Sequence, residues 1–247
     1  MAKWLTGKVV ENTRVNERLT ALKFEAPLET FKAGQFVRIG LEIDGETVAR
    51  PYSLVNPPQD PVFEVYFNIV PEGPLSPKLF DLAAGDELLV GPLANGFLVV
   101  DEIPECRDLW MVATGTGVGP FLSILQTDDA WPRFENIVLC YSVRAADELA
   151  YRELTASISA AHPEQFKFVP FVTREKVEGA FAQRVPLCIE DGSLEARLGL
   201  TLSPEHSHVM MCGSAEMIAD VSAQLESREM QRHRRRDPGH FTMEKYH

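Results

Sequence analysis

Residues 108–125 read DLWMVATGTGVGPFLSIL. A buried-type strand, Asp108–Ala113, runs into Gly115, Gly117 and Gly119, and then into an apolar helical run, Phe121–Leu125. A strand, a glycine loop and a helix in that order predict the opening of a nucleotide-binding unit. The glycines let the backbone turn tightly and approach a pyrophosphate, and the helix start offers unpaired N–H groups. Pro120 suits the first helical turn, where its missing N–H costs nothing. A tight turn that binds no ligand is the simpler alternative.

Downstream of this loop, strands and helices alternate. Asn136–Tyr141, Phe166–Phe171 and Ser207–Cys212 read as strands, with helices over 146–160 and 214–229. That alternation implies a doubly wound parallel sheet with helices on both faces. Upstream, short β-prone runs lie at 9–10, 19–24, 36–39, 52–55, 62–70 and 88–90, broken by Pro27, Gly34, Gly40 and the Gly85–Asp86 turn. Many short strands with turns between them predict an antiparallel β-barrel or sandwich. One helix interrupts, with Ser76 expected as N-cap, Pro77 first in the helix and Gly85 past its end. The character changes near Asp101–Arg107, so the expected domains are 1–101 (β) and 102–247 (α/β).

A chain of 247 residues with 24% charged and 45% hydrophobic residues accommodates two folded domains. The net charge of −12 argues against nucleic acid held over the whole surface. Residues 227–236 run the other way, with Arg228, Arg232, Arg234, Arg235 and Arg236 against Glu229. Such a patch suits an anionic partner, or simply a solvated helix end carrying cations against its dipole. Cys106, Cys140, Cys188 and Cys212 lack metal-ligand spacing, so no metal is expected. No signal-like segment and no membrane-length apolar run occurs in the sequence. The expectation is a cytoplasmic, monomeric protein with reduced thiols.

The strand after the glycine loop continues Ser142-Val143-Arg144, with no carboxylate to bind a ribose hydroxyl. An arginine there suits a 2′-phosphate instead, and Arg174 (after Thr173) and Arg184 stand beyond the next strand. NADP(H) is therefore favoured over NAD(H).

Three motifs in register carry a family resemblance. Arg50-Pro51-Tyr52-Ser53, the Gly115–Pro120 loop and Cys212-Gly213-Ser214 resemble the flavin and nicotinamide motifs of the ferredoxin–NADP⁺ reductase superfamily. Gly73-Pro74-Leu75-Ser76-Pro77, the three arginines and the tail from Gly239 to His247 resemble its bacterial ferredoxin/flavodoxin–NADP⁺ reductase branch.

The resemblance implies an FAD-binding β-barrel followed by an NADP-binding α/β domain. Arg50 would hold the FAD pyrophosphate, Tyr52 would lie on the flavin ring, and Ser53 would sit near N5. Tyr66, Phe67, Asn68, Ile69 and Val70 would line FAD, with Pro74, Leu75 and Ser76 at its phosphates and Thr116 touching the flavin from the second domain. Cys212 and Glu244 would border the nicotinamide, with Gly213, Ser214 and Met217 alongside. Tyr246 would cover the other flavin face. His247 stands where the branch commonly ends in tryptophan, and Pro74 where a lysine can occur.

The implied activity is electron transfer between NADPH and a ferredoxin or flavodoxin, by hydride transfer to flavin N5 and then single-electron steps. Arg232–Arg236 would dock the acidic carrier. The rivals are an NADH-using, free-flavin or other-acceptor reductase of the same superfamily, and a non-catalytic NADP(H)-sensing module.

Overall fold

The computed structural model describes residues 4–245. It divides into two units. One runs to Val99 and also takes in Gly119–Thr127. The other comprises Val100–Val118 and the chain from Asp128 onward.

The first unit is built on a six-stranded antiparallel sheet. Its strands are β1 (Leu5–Arg14), β2 (Leu19–Glu25), β3 (Phe36–Ile43), β4 (Glu46–Ser53), β5 (Phe63–Asn68) and β6 (Glu87–Val90), in the order β4-β3-β6-β1-β2-β5. Leu22, Phe24, Val37, Ile39, Val65 and Val90 face one fully buried core. The register of β1 against β2 shifts between Val9 and Glu11, and this bulge leaves Val10 exposed. β4 begins six residues earlier than its apolar run suggests. Asp44 (φ 53°) and Gly45 (φ 82°) form the two-residue turn of a β3–β4 hairpin. Two positive φ values in succession match the twist of the flanking strands. The hairpin pairing carries polar Glu46 and Thr47 into the strand.

Helix α1 is Ser76–Phe80, shorter than expected. Leu75 holds the N-cap position, so Ser76 is the first helical residue. The Ser76 hydroxyl instead accepts a hydrogen bond from the Val70 N–H (2.9 Å). At the other end of α1, Asn12 of β1 satisfies the open carbonyls. Its amide donates to Leu79 O (3.2 Å), Phe80 O (3.1 Å) and Leu82 O (2.8 Å), and its Oδ1 accepts from Thr20 Oγ1 (2.6 Å). One barrel side chain thus caps the helix. Arg14, two residues on, lies over the Phe80 ring at 4.5 Å.

Helix α2 (Gly119–Leu125) belongs to this first unit although it follows the glycine loop. All seven of its residues are buried. Ser123 Oγ donates to Asn56 O (2.7 Å) and Gln126 Nε2 donates to Val55 O (2.9 Å). A helix apolar on every side is stable only when enclosed, and these bonds fasten it to segment 55–56.

The second unit holds a five-stranded parallel sheet. Its strands are β7 (Asp108–Thr114), β8 (Asn136–Val143), β9 (Phe166–Val172), β10 (Ser207–Gly213) and β11 (Phe241–Lys245), in the order β11-β10-β7-β8-β9. Strand order runs outward from β7 in both directions, so the switch point lies between β7 and β10. Crevices beyond the carboxyl ends of strands at such a point are where open α/β sheets bind ligands.

The expected 146–160 helix is broken. A 3₁₀ turn spans Ala146–Glu148 and α3 is Arg152–Ala161, separated by Tyr151 at φ 58°. Two short helices that the sequence did not signal, α4 (Val185–Glu190) and α5 (Ser193–Leu198), precede β10. Helix α6 (Ala215–Glu226) follows it, with Met217, Ile218, Val221 and Leu225 buried in a core that contains Trp110, Val138, Val169 and Phe241. No helix among the described residues is long and apolar enough to cross a membrane.

Asn12→Ala removes the two N–H donors that make three hydrogen bonds to carbonyls at the end of α1, and one acceptor from Thr20. It should lower stability by about 1–3 kcal/mol in urea denaturation. Asn12→Asp keeps only the acceptor and should rescue little of that loss.

Candidate functional site

The carboxyl ends of β7 and β10 come within backbone contact. A Cβ on Gly117 would stand 2.3 Å from Cys212 O and 2.6 Å from its carbonyl carbon. A Cβ on Gly213 (φ 155°) would stand 2.1 Å from Thr114 Oγ1. Only glycine fits at either position. Gly117 lies within one 3₁₀ turn, Gly115–Val118, which leaves β7 through Gly115 at φ 53°.

Thr114 Oγ1 accepts from the Ser214 N–H (2.9 Å), and Ser214 Oγ accepts from the Met217 N–H (3.2 Å), which caps α6. The predicted Gly115, Gly117, Gly213, Ser214 and Met217 therefore share one strand-end constellation, with Thr116 half-buried on the turn. Thr114 is the residue that sequence reasoning missed. Its only signal is a hydroxyl at the last position of the strand before the loop.

Cys212 and Glu244 are register partners on β10 and β11. Cys212 is buried. Burial, and then the neighbouring Glu244 carboxylate, push its thiol far up, so it stays protonated. A buried, protonated thiol is a small polarizable packing group rather than a nucleophile. Tyr246 and His247 lie outside the described residues.

At the edge of the sheet, the chain leaving β8 and the chain leaving β9 stay joined. The Thr173 N–H donates to Val143 O (3.1 Å) and the Arg174 N–H donates to Arg144 O (2.9 Å). Arg144 and Arg174 are both exposed, and among the described residues neither guanidinium has an ion pair. Arg184 is placed differently. It holds the N-cap position of α4, and its guanidinium meets Glu216 at 2.6 Å and Asp220 at 3.7 Å on α6.

In the first unit, Arg50 to Ser53 form the end of β4. Arg50 is exposed, and among the described residues its guanidinium bonds only to the carbonyl of Ala49 (2.9 Å), which leaves most of its donors available to an anion. Tyr52 is half-buried, edge-on to Phe67 with centroids 5.3 Å apart. Burial pushes its hydroxyl up to about 12, against a smaller opposing pull from Arg50. Ser53 adjoins the last loop glycine: a Cβ on Gly119 would lie 3.8 Å from the Ser53 Cβ.

Tyr66 and Phe67 are buried on β5, while Asn68 and Val70 are exposed. Pro74 is exposed and Leu75 buried ahead of α1. Ser76 uses an oxygen lone pair on Val70, so its hydrogen remains free to donate. An unneutralised arginine, a half-exposed aromatic and a free hydroxyl donor form a set that fits an anionic, aromatic dinucleotide.

Comparison with known proteins finds two families in succession along the chain, the second of which also spans the Gly119–Thr127 segment of the first unit. The family "Oxidoreductase FAD-binding domain" matches residues 6–95, and "Oxidoreductase NAD-binding domain" matches residues 111–223. The class is therefore a two-part flavoprotein oxidoreductase. The flavodoxin/ferredoxin–NADP reductase of Escherichia coli (strain K12) is 45% identical over 90% of this chain and 89% of its own. The ferredoxin–NADP reductase of Pseudomonas aeruginosa is 34% identical over 92% of this chain and 91% of its own. A crystal structure of a ferredoxin NADP⁺ reductase from Neisseria gonorrhoeae with bound FAD and NADP superposes with a TM-score of 0.94. It is 32% identical, and 99% of each chain is covered. The chain belongs to the flavodoxin/ferredoxin–NADP reductase family.

Gly117→Ala forces the β7 and β10 ends apart and should cost about 2–4 kcal/mol in thermal or urea unfolding. Gly119→Ala meets nothing closer than Val55 Cγ2, at 3.3 Å. It should cost less than about 1.5 kcal/mol by the same measurement.

Proposed function

We propose that this protein carries electrons from NADPH to a flavodoxin or ferredoxin, with FAD held by the first unit and NADP(H) by the second. The observation that carries this reading is the coexistence of two anion-receptive sets in one chain. Arg50, Tyr52 and Ser53 end β4, and an unpaired Arg144–Arg174 pair stands beside the glycine-lined ends of β7 and β10. FAD, when bound, accepts an electron pair from a dihydronicotinamide and releases electrons singly, which is what a one-electron carrier requires.

The protein's own groups bind and orient. Arg50 and the Ser76 hydroxyl neutralise and hydrogen-bond the FAD pyrophosphate. Tyr52 gives the flavin ring an aromatic face, and its raised hydroxyl stays protonated at working pH. The Gly115–Val118 turn, which carries Thr116, offers its peptide groups to the NADP(H) pyrophosphate. Arg144 and Arg174 take the 2′-phosphate, while Arg184 reaches it only by exchanging its Glu216 contact. Cys212 and Glu244, register partners on β10 and β11, flank the nicotinamide. The four cysteines are free thiols, which suits a monomer in the reducing cytoplasm.

The arginine patch divides by contact. Arg228 is structural: it meets Glu195 at 2.8 Å and donates to Ile189 O (2.8 Å) and Leu202 O (3.3 Å). Arg235 pairs with Glu102 at 2.9 Å. Arg232, Arg234 and Arg236 are exposed and remain for an acidic carrier.

Anaerobic titration of the purified protein should bleach the flavin absorption promptly with NADPH and slowly with NADH. Equal bleaching by both would refute the NADPH preference, and no flavin spectrum after adding FAD would refute the flavoenzyme. Arg232→Glu/Arg236→Glu should slow electron transfer to flavodoxin about tenfold at low salt, with the difference shrinking as salt rises. NADPH-to-ferricyanide turnover should be unchanged. Equal loss in both assays would refute the docking role.

A further inference from the structure

The loop that follows β8 is held by two carboxylates that, among the described residues, make no ion pair with an arginine. The Arg144 N–H donates to Glu148 Oε2 (3.0 Å), and the Ala146 N–H donates to Glu175 Oε1 (2.5 Å). The peptide carbonyl of Ala146 is held as well, by Arg152 Nη2 at 3.3 Å. Tyr141 OH donates to Glu148 O (3.2 Å) beneath the turn. Glu175 comes from the chain leaving β9, one residue after Arg174, so its bond extends the Val143–Thr173 and Arg144–Arg174 backbone pairings.

This arrangement is unexpected on electrostatic grounds alone. Carboxylates placed among Arg144, Arg152 and Arg174 would gain most from a bidentate guanidinium contact. Both instead accept from the loop backbone. The result is a fixed loop with two exposed cations on adjacent strand exits, where backbones run about 4.8 Å apart. Two like charges at that spacing repel unless an anion bridges them, and a long arginine loses less freedom on binding when its backbone is already fixed.

We propose that Glu175, assisted by Glu148, is a positioning residue for nucleotide choice. It clamps the 144–146 backbone so that Arg144 and Arg174 meet one phosphate monoester, the 2′-phosphate of the adenosine ribose. This rests on the NADPH reading above and adds to it a pair of acidic residues that set the preference without touching the phosphate.

The test compares Glu175→Ala and Glu175→Gln with wild type, using NADPH and NADH separately and ferricyanide as acceptor. Glu175→Ala should raise the KM for NADPH about fivefold, with kcat within about twofold and the KM for NADH unmoved. Glu175→Gln retains an acceptor oxygen and should stay within about twofold of wild type for NADPH. Calorimetric titration with adenosine 2′-monophosphate should show the same weakening in Glu175→Ala, with adenosine 5′-monophosphate unaffected. A lower KM for NADPH in both variants would overturn the proposal, because the carboxylate would then act only by repulsion. A parallel rise for NADPH and NADH would overturn it in favour of a general structural role. A wild-type protein indifferent to the 2′-phosphate would instead sink the NADPH reading itself.

Discussion

The second unit depends on a single close approach, the backbone of Gly117 passing over the carbonyl of Cys212. Parallel strands β7 and β10 are neighbours, and the turn leaving one must cross the end of the other within van der Waals contact. No side chain fits between them. That approach places Thr114 against Gly213 and lets its hydroxyl accept the Ser214 N–H. Ser214 then caps α6, whose apolar face closes the core over Trp110 and Val138. Lifting the turn by an ångström would break a hydrogen-bonded series that reaches from the loop to the helix.

Charge is handled locally. The chain is acidic overall, yet Arg50, Arg144 and Arg174 are exposed without carboxylate partners among the described residues. Several acids are engaged by other groups: Glu148 and Glu175 by backbone, Glu195 by Arg228, Glu102 by Arg235. Distributing carboxylates among structural donors keeps selected guanidinium groups available for phosphate. A net charge cannot describe this, because what matters is which cations remain uncompensated.

Much of this was legible in the sequence where a local pattern carries the physics. The strand–glycine–helix order at 108–125 identified the nucleotide-binding unit, because the steric need for glycine is set within a few residues. The short strands upstream identified the antiparallel unit, and the three motifs in register pointed to the family. What escaped depends on distant partners. The polar start of β4 is a strand because β3 pairs with it, and Tyr151 breaks α3 without a glycine or proline to announce it. Asn12 looks like any strand asparagine until α1 arrives beneath it. Arg184 and Arg228 read as site or patch residues, whereas Glu216 and Glu195 engage them across the fold. The clamp by Glu175 needs two strand exits side by side, which no linear spacing encodes.

The membership of α2 in the first unit has a consequence for how the molecule is made. The polypeptide leaves that unit at Val99, builds β7 and the glycine turn, and returns at Gly119 before departing again after Thr127. During synthesis the β unit therefore cannot be completed when its last strand emerges. Until α2 appears, the carbonyls of Val55 and Asn56 lack their donors and the surface beside Gly34 lacks Ile124. By then the founding strand of the other unit has also left the ribosome. The two halves mature as an interleaved pair, and a genetic exchange at any one junction near residue 100 would separate a domain from part of its own interior.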